Sequence, residues 1–235
     1  MRVVVNQLVI VSGMAAAALL SPSITPPTAS AAECADVQVV FARGTFEAPG
    51  VGGVGQAFVD SLRSKIGDNS MDVYPVNYPA SLDFATAADG VIDARNKVQD
   101  VANTCPKSKI VLGGFSQGAA VAGYITADAI PPGFTLPQGI TGPMPADVAS
   151  HVAAVTLFGK PSNGFLQTIN TAAPPITVGS LYSAKTLDLC APADPICGSG
   201  GDGAAHNSYP VNGMTDQAAT FAADHVVSGR GVSAH

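Results

Sequence analysis

The stretch from Lys109 to Ala122 constrains the fold more than any other part of this sequence. Ile110-Val111-Leu112 is an apolar, β-rich run, and it passes without a break into Gly114-Phe115-Ser116-Gln117-Gly118. Ala119-Ala120-Val121-Ala122 follows and suits a helix. A strand that becomes a helix across one residue needs a sharp turn, with glycines on both sides leaving room for neighbouring backbone. A strand leading into a helix is also half of the crossover that parallel strands require. The segment therefore predicts a strand over Lys109–Phe115, a helix over Ser116–Asp128, and a parallel sheet.

The rest of the chain repeats this alternation. Val37-Gln38-Val39-Val40-Phe41 reads as a buried strand, and Val54, Phe58, Leu62 and Ile66 recur every four residues as one helical stripe. Asp72–Val76 reads as a second strand. Residues 85–103 read as a helix, with Ala88, Val91, Ile92, Arg95, Val98 and Val101 near helical spacing. Val152–Phe158 is a further strand, Asp188 falls on another, and residues 214–227 form a last helix with Ala218, Phe221, Ala222 and Val226 on one side. The expected fold is a three-layer α/β/α sandwich around a mainly parallel, roughly five-stranded sheet. No repeat or second domain interrupts it, so residues 33–235 are expected to form one domain. Residues 130–150 are rich in proline and glycine, and 131–145 carry Phe134, Leu136, Ile140 and Met144. That insertion reads equally as a flap over a site or as a plain connecting loop.

Composition narrows the partners. Hydrophobic residues make up 47% of the 235 and charged residues 12%, enough apolar material for a sizeable core. The net charge of -6 comes without a basic cluster, which argues against nucleic-acid binding. Any lipid contact would have to be apolar and transient. The first 32 residues read as a signal peptide: Arg2, an apolar Val3–Leu20, and small residues before a cleavage point near Ala31 or Ala32. The competing reading is an uncleaved anchor helix. Export predicts a secreted protein, free or held at the cell surface, and suits disulfides. The four cysteines Cys34, Cys105, Cys190 and Cys197 allow three pairings. The short Cys190–Cys197 spacing favours a local bridge and leaves Cys34 with Cys105. By loop entropy, a bridge closing about 70 residues contributes about 4 kcal/mol. No CxxC pair and no histidine at ligand spacing points to a metal.

Ser116 sits where a nucleophile would, at the N-terminus of a helix whose free N–H groups favour a developing negative charge. A serine hydroxyl needs a base, and the base needs an orienting group. Of the four histidines, His235 is terminal, His225 lies in the last helix and His151 precedes a strand. His206 follows the last strand in a glycine-rich stretch and is the candidate base. Asp188, Asp194 and Asp202 are the candidate acids. Asp194 is favoured because a Cys190–Cys197 bridge would hold it in place.

Taken together, several segments resemble the cutinase family of serine esterases, especially its secreted bacterial members. They are Phe41-Ala42-Arg43-Gly44-Thr45, the Gly-Phe-Ser-Gln-Gly turn, Cys190-Ala191-Pro192-Ala193-Asp194-Pro195-Ile196-Cys197 and Ala205-His206-Asn207-Ser208-Tyr209. Asn77-Tyr78-Pro79-Ala80 and Leu157-Phe158-Gly159 also look familiar, and the pieces occur in family order over residues 34–227. Many relatives have Ser at the Thr45 position and Tyr at the Phe115 position. The resemblance implies an α/β-hydrolase-type fold and a triad of Ser116, Asp194 and His206. It implies an oxyanion hole from the backbone N–H groups of Thr45 and Gln117, with the Thr45 hydroxyl as a third candidate donor. The activity implied is hydrolysis of short- to medium-chain, lipid-like or polyester (cutin-type) esters. Acyl transfer through a serine needs no metal or organic cofactor, and a monomer is expected. The same triad would serve a lipase, phospholipase, thioesterase or acyltransferase. A non-catalytic surface protein on an esterase scaffold is the remaining alternative.

Overall fold

The computed structural model describes residues 34–130, 138, 140–169 and 173–228. The expected leader (1–32), Phe134, Leu136 and His235 lie outside the described residues. Five strands form one sheet: β1 (Val37–Ala42), β2 (Met71–Pro75), β3 (Lys109–Phe115), β4 (Val152–Phe158) and β5 (Thr186–Leu189). Their order is β2-β1-β3-β4-β5, and every adjacent pair is parallel. The sheet is thus wholly parallel and doubly wound, as the alternation of strand and helix predicts.

The apolar runs explain why. All six residues of β1 are buried, with Val37, Val39 and Phe41 on one face and Val40 and Ala42 on the other. A strand covered on both faces has no polar side to offer water, which is the condition parallel sheets meet. The first face is covered by α1 (Gly52–Lys65), through Val54, Phe58 and Leu62, and by α7 (Met214–Ser228), through Ala218, Ala222 and Val226. Phe41, Phe58 and Phe158 fill the space between with ring centroids 5.8–6.2 Å apart. The other face is covered by α2 (Ala87–Thr104) and α3 (Gln117–Ile125), joined by the short α4 (Ala146–Ala149) and α6 (Ser180–Ser183). β2 is an edge strand, half-buried and ending at Pro75, where the lost N–H costs no ladder bond.

Among the described residues of the insertion, Ile140 and Met144 are buried, and Met144 packs in the α2–α3 core. Arg95, buried in α2, donates to the Pro143 carbonyl at 2.9 Å and ties the segment down. Met144 is therefore core rather than flap, and Ile140 is buried. Two disulfides join Cys34 to Cys105 and Cys190 to Cys197. The first fastens the start of β1 to the end of α2. The second closes the loop after β5.

Candidate active site

Strands β1, β3, β4 and β5 all end on one edge of the sheet, and the loops leaving them build the site. The order reverses direction between β1 and β3, which is where α/β sheets open a crevice. Ser116 occupies that point. Its backbone has φ 53° and ψ -117°, a strained conformation for a residue with a side chain. Close packing holds it there. A Cβ on Gly114 would lie 2.2 Å from the Gly118 carbonyl oxygen, and one on Gly118 would lie 2.0 Å from that of Ala42. Only glycine fits at either position. The Ser116 N–H donates to the Phe158 carbonyl at 2.9 Å, which continues the β3–β4 ladder through the turn.

The three residues singled out from the sequence meet here. His206 Nε2 lies 2.9 Å from Ser116 Oγ, and His206 Nδ1 lies 2.8 Å from Asp194 Oδ2. Asp194 is fully buried. Tyr209 donates its hydroxyl to the same Oδ2 at 2.7 Å, and the Ile196 N–H donates to Oδ1 at 2.8 Å. Burial pushes this carboxyl's pKa up, but the hydrogen bonds from His206, Tyr209 and Ile196 outweigh it together and hold it below the usual carboxylate range. Tyr209 is held well above the usual phenol range, first by burial and then by Asp194, so it remains a donor. The Ala191 N–H in turn donates to Tyr209 Oη at 3.0 Å. Phe115 packs on the imidazole with ring centroids 4.8 Å apart, and Tyr209 meets Phe115 edge-on at 5.7 Å.

The other candidates are elsewhere engaged. Asp188 is paired with Lys160 at 3.3 Å, and Asp202 is exposed and caps the Ala204 N–H at 2.9 Å. His225 Nδ1 donates to the Phe221 carbonyl one helical turn back, at 2.8 Å. The His151 carbonyl accepts from the Ile110 N–H at the opposite end of β3.

Thr45 and Gln117 line the same cavity as Ser116. Among the described residues, neither of their backbone N–H groups has a protein acceptor. Gln117 is the first residue of α3, where an N–H has no intrahelical partner. The turn carrying Thr45 is held by a network the sequence reading missed. Glu47 accepts the Gly44 N–H at 2.6 Å and the Gly53 N–H at 2.7 Å. Buried Arg43 donates to the carbonyls of Glu47 (2.8 Å) and Tyr78 (2.6 Å), and Tyr78 donates back to the Arg43 carbonyl. The Phe46 N–H donates to the Ala80 carbonyl at 2.7 Å, with both residues at positive φ.

A cavity of about 280 Å³ opens beside Ser116. Its lining is mostly apolar. Ala120 and Tyr124 of α3 pack with Leu166 and Ile169 of α5 (Asn163–Ile169) and with Ala173. Phe46 and Leu82 stand at the mouth, 75% and 61% exposed, while Pro161 and Ile196 lie on the side of His206. The α5 wall was also missed. It is about two turns of helix in a Pro/Asn/Gly setting, too brief for periodicity to show.

The chain as a whole has close parallels among known proteins. The cutinase family model matches residues 33–226. The chain is 59% identical over 166 residues to the probable carboxylesterase Culp5 of Mycobacterium tuberculosis, covering 71% of this chain and 93% of that one. It is 49% identical over 210 residues to the carboxylesterase Culp1 of the same species, covering 89% and 90%. Against the phospholipase Culp4, also from that species, identity is 44% over 221 residues, covering 94% and 91%. Among solved structures, Trichoderma reesei cutinase bound to a phosphonate inhibitor superposes with a TM-score of 0.60 at 33% identity, covering 82% of this chain and 77% of that one. Fold, motif order and these likenesses agree: the chain belongs to the cutinase family.

Proposed function

We propose that this protein is an exported serine carboxylesterase that cleaves short- to medium-chain, lipid-like esters through an acyl-enzyme on Ser116. As a cutinase-family chain with carboxylesterase relatives over most of its length, it is a carboxylic ester hydrolase. The observation that carries the finer reading is the unbroken chain of hydrogen bonds Ser116–His206–Asp194, opening onto an apolar cavity.

The steps follow from that geometry. His206 Nε2 removes the hydroxyl proton as Ser116 Oγ attacks the ester carbonyl carbon. Asp194 holds Nδ1 protonated and stabilises the imidazolium that forms. The carbonyl oxygen, now negative, is met by the N–H groups of Thr45 and Gln117. As the carbon–oxygen bond to the alcohol breaks, His206 returns the proton to that oxygen. Water then repeats the sequence on the acyl-enzyme and frees the acid. His206 relays the proton in each half of the reaction.

Export rests on the leader-like sequence of residues 1–32 and on the two disulfides, which form in oxidising compartments. Among the described residues, no helix is long and apolar enough to cross a membrane. A phospholipase reading has one specific support, the relative of that name at 44% identity. Ser116→Ala tests the mechanism. It is expected to lower kcat for p-nitrophenyl butyrate by about a million-fold, the scale for loss of a triad serine, while circular dichroism stays native. A folded variant that keeps wild-type turnover would refute it.

A further inference from the structure

Along α3, Ser116 as N-cap, Ala120 and Tyr124 are spaced four residues apart, and all three line the cavity. Residues at this spacing share one helix face. The stripe ends at Tyr124. One turn further on, Asp128 is absent from the lining and accepts the Ser180 N–H at 2.7 Å. Tyr124 itself is held in place: its hydroxyl donates to the Pro174 carbonyl at 2.7 Å, and burial pushes that phenol up to about 12. Behind the stripe, Ile176 comes so near Gly123 that a Cβ there would lie 2.3 Å from it, so the helix and the 173–176 segment form one rigid wall.

We propose that this groove is a ruler for the acyl chain, ended by Tyr124 and matched to straight chains of about eight to ten carbons. The helix rise sets that length. From Ser116 to Tyr124 the helix rises about 12 Å, and an extended alkyl chain advances about 1.3 Å per carbon. The chain in the groove is the acyl part. It is the part bonded to Ser116 Oγ at the head of α3, whereas the alcohol takes the proton from His206 and leaves.

This inference rests on the esterase reading and is tested with p-nitrophenyl esters from acetate to palmitate, as ratios of kcat/KM. The wild type should peak at octanoate or decanoate. Tyr124→Ala should raise the myristate-to-decanoate ratio about tenfold, because a few methylenes gain apolar contact. Ala120→Leu should lower the octanoate-to-butyrate ratio about tenfold. Ala120→Leu narrows the groove at a different position, so a misfolded Tyr124→Ala variant does not end the test. Acetate esters of straight alcohols should show no such shift. Ratios within about twofold of wild type in the folded Tyr124→Ala or Ala120→Leu variant, or a shift confined to the alcohol series, would overturn the ruler and leave the esterase intact. Absence of hydrolysis at every length would overturn both.

Discussion

The two sides of Ser116 are built from irregular chain, yet they are held by opposite chemistry. On the His206 side, a buried carboxylate collects three donors, from His206, Tyr209 and the Ile196 amide, inside a loop closed by Cys190–Cys197. On the Thr45 side, a buried guanidinium collects backbone carbonyls, and Glu47 gathers the amides of Gly44 and Gly53. The first arrangement fixes a side chain, which suits the proposed role of Asp194 in presenting charge to the imidazole. The second fixes backbone, which suits the proposed role of the Thr45 N–H. Each side thus spends its buried charge on the kind of group that its task requires. A buried charge without such partners would be costly on either side.

The largest effect should come from breaking the carboxylate. Asp194→Asn leaves one oxygen and one amide nitrogen where three donors converge, so at least one meets a donor and the imidazole loses its orienting acceptor. Expected is a fall in kcat of about 10,000-fold with the fold retained, measured by steady-state kinetics. A loss under about tenfold would mean the loop does not act through Asp194.

On the other side, Glu47→Gln should deprive one of the two glycine amides of its acceptor and let the Thr45 turn drift. Loss of a whole oxyanion donor costs about a hundred- to a thousandfold, so a displaced one should lower kcat by about ten- to a hundredfold with KM nearly constant. A change in KM alone would place Glu47 in substrate binding instead.

Tyr209→Phe is the mildest break and separates positioning from packing, since the ring stays. The charge-assisted bond to Asp194 is removed and the Ala191 N–H loses its acceptor, together worth about 3 kcal/mol of stability, and kcat should fall about tenfold. The sign with pH is set by Asp194, whose folded pKa lies below its unfolded value. Its contribution is full above about pH 4 and is lost as pH falls through the folded pKa. Without the Tyr209 donor that folded value rises, so acid unfolding should begin at higher pH than in the wild type. An unchanged acid transition, followed by circular dichroism, would show that the hydroxyl does not support the carboxylate.

The comparison also shows what a sequence exposes and what it hides. β1, β3 and β4 were legible because buried parallel strands are continuous apolar runs, and Gly114 and Gly118 because a tight elbow tolerates nothing larger. Asp194 and His206 stood out through their setting, one bracketed by cysteines and one following the last strand. Glu47, Tyr209 and α5 carry no such mark. Their roles depend on partners brought in by folding: Gly53 to Glu47, Asp194 to Tyr209, Ala120 to Leu166. Met144 left flap and connecting loop equally open in the sequence, because an apolar residue in a proline-rich segment looks the same whether it caps a pocket or packs in a core.

The central claim is that Ser116 is a nucleophile activated by His206. An alkyl fluorophosphonate reacts only with an activated hydroxyl, and peptide mass spectrometry locates the adduct. The account predicts stoichiometric labelling of Ser116 in the wild-type protein, and at least about a thousandfold slower labelling in His206→Ala. A wild-type protein that stays unlabelled, or that carries the phosphonate on another residue, would contradict it.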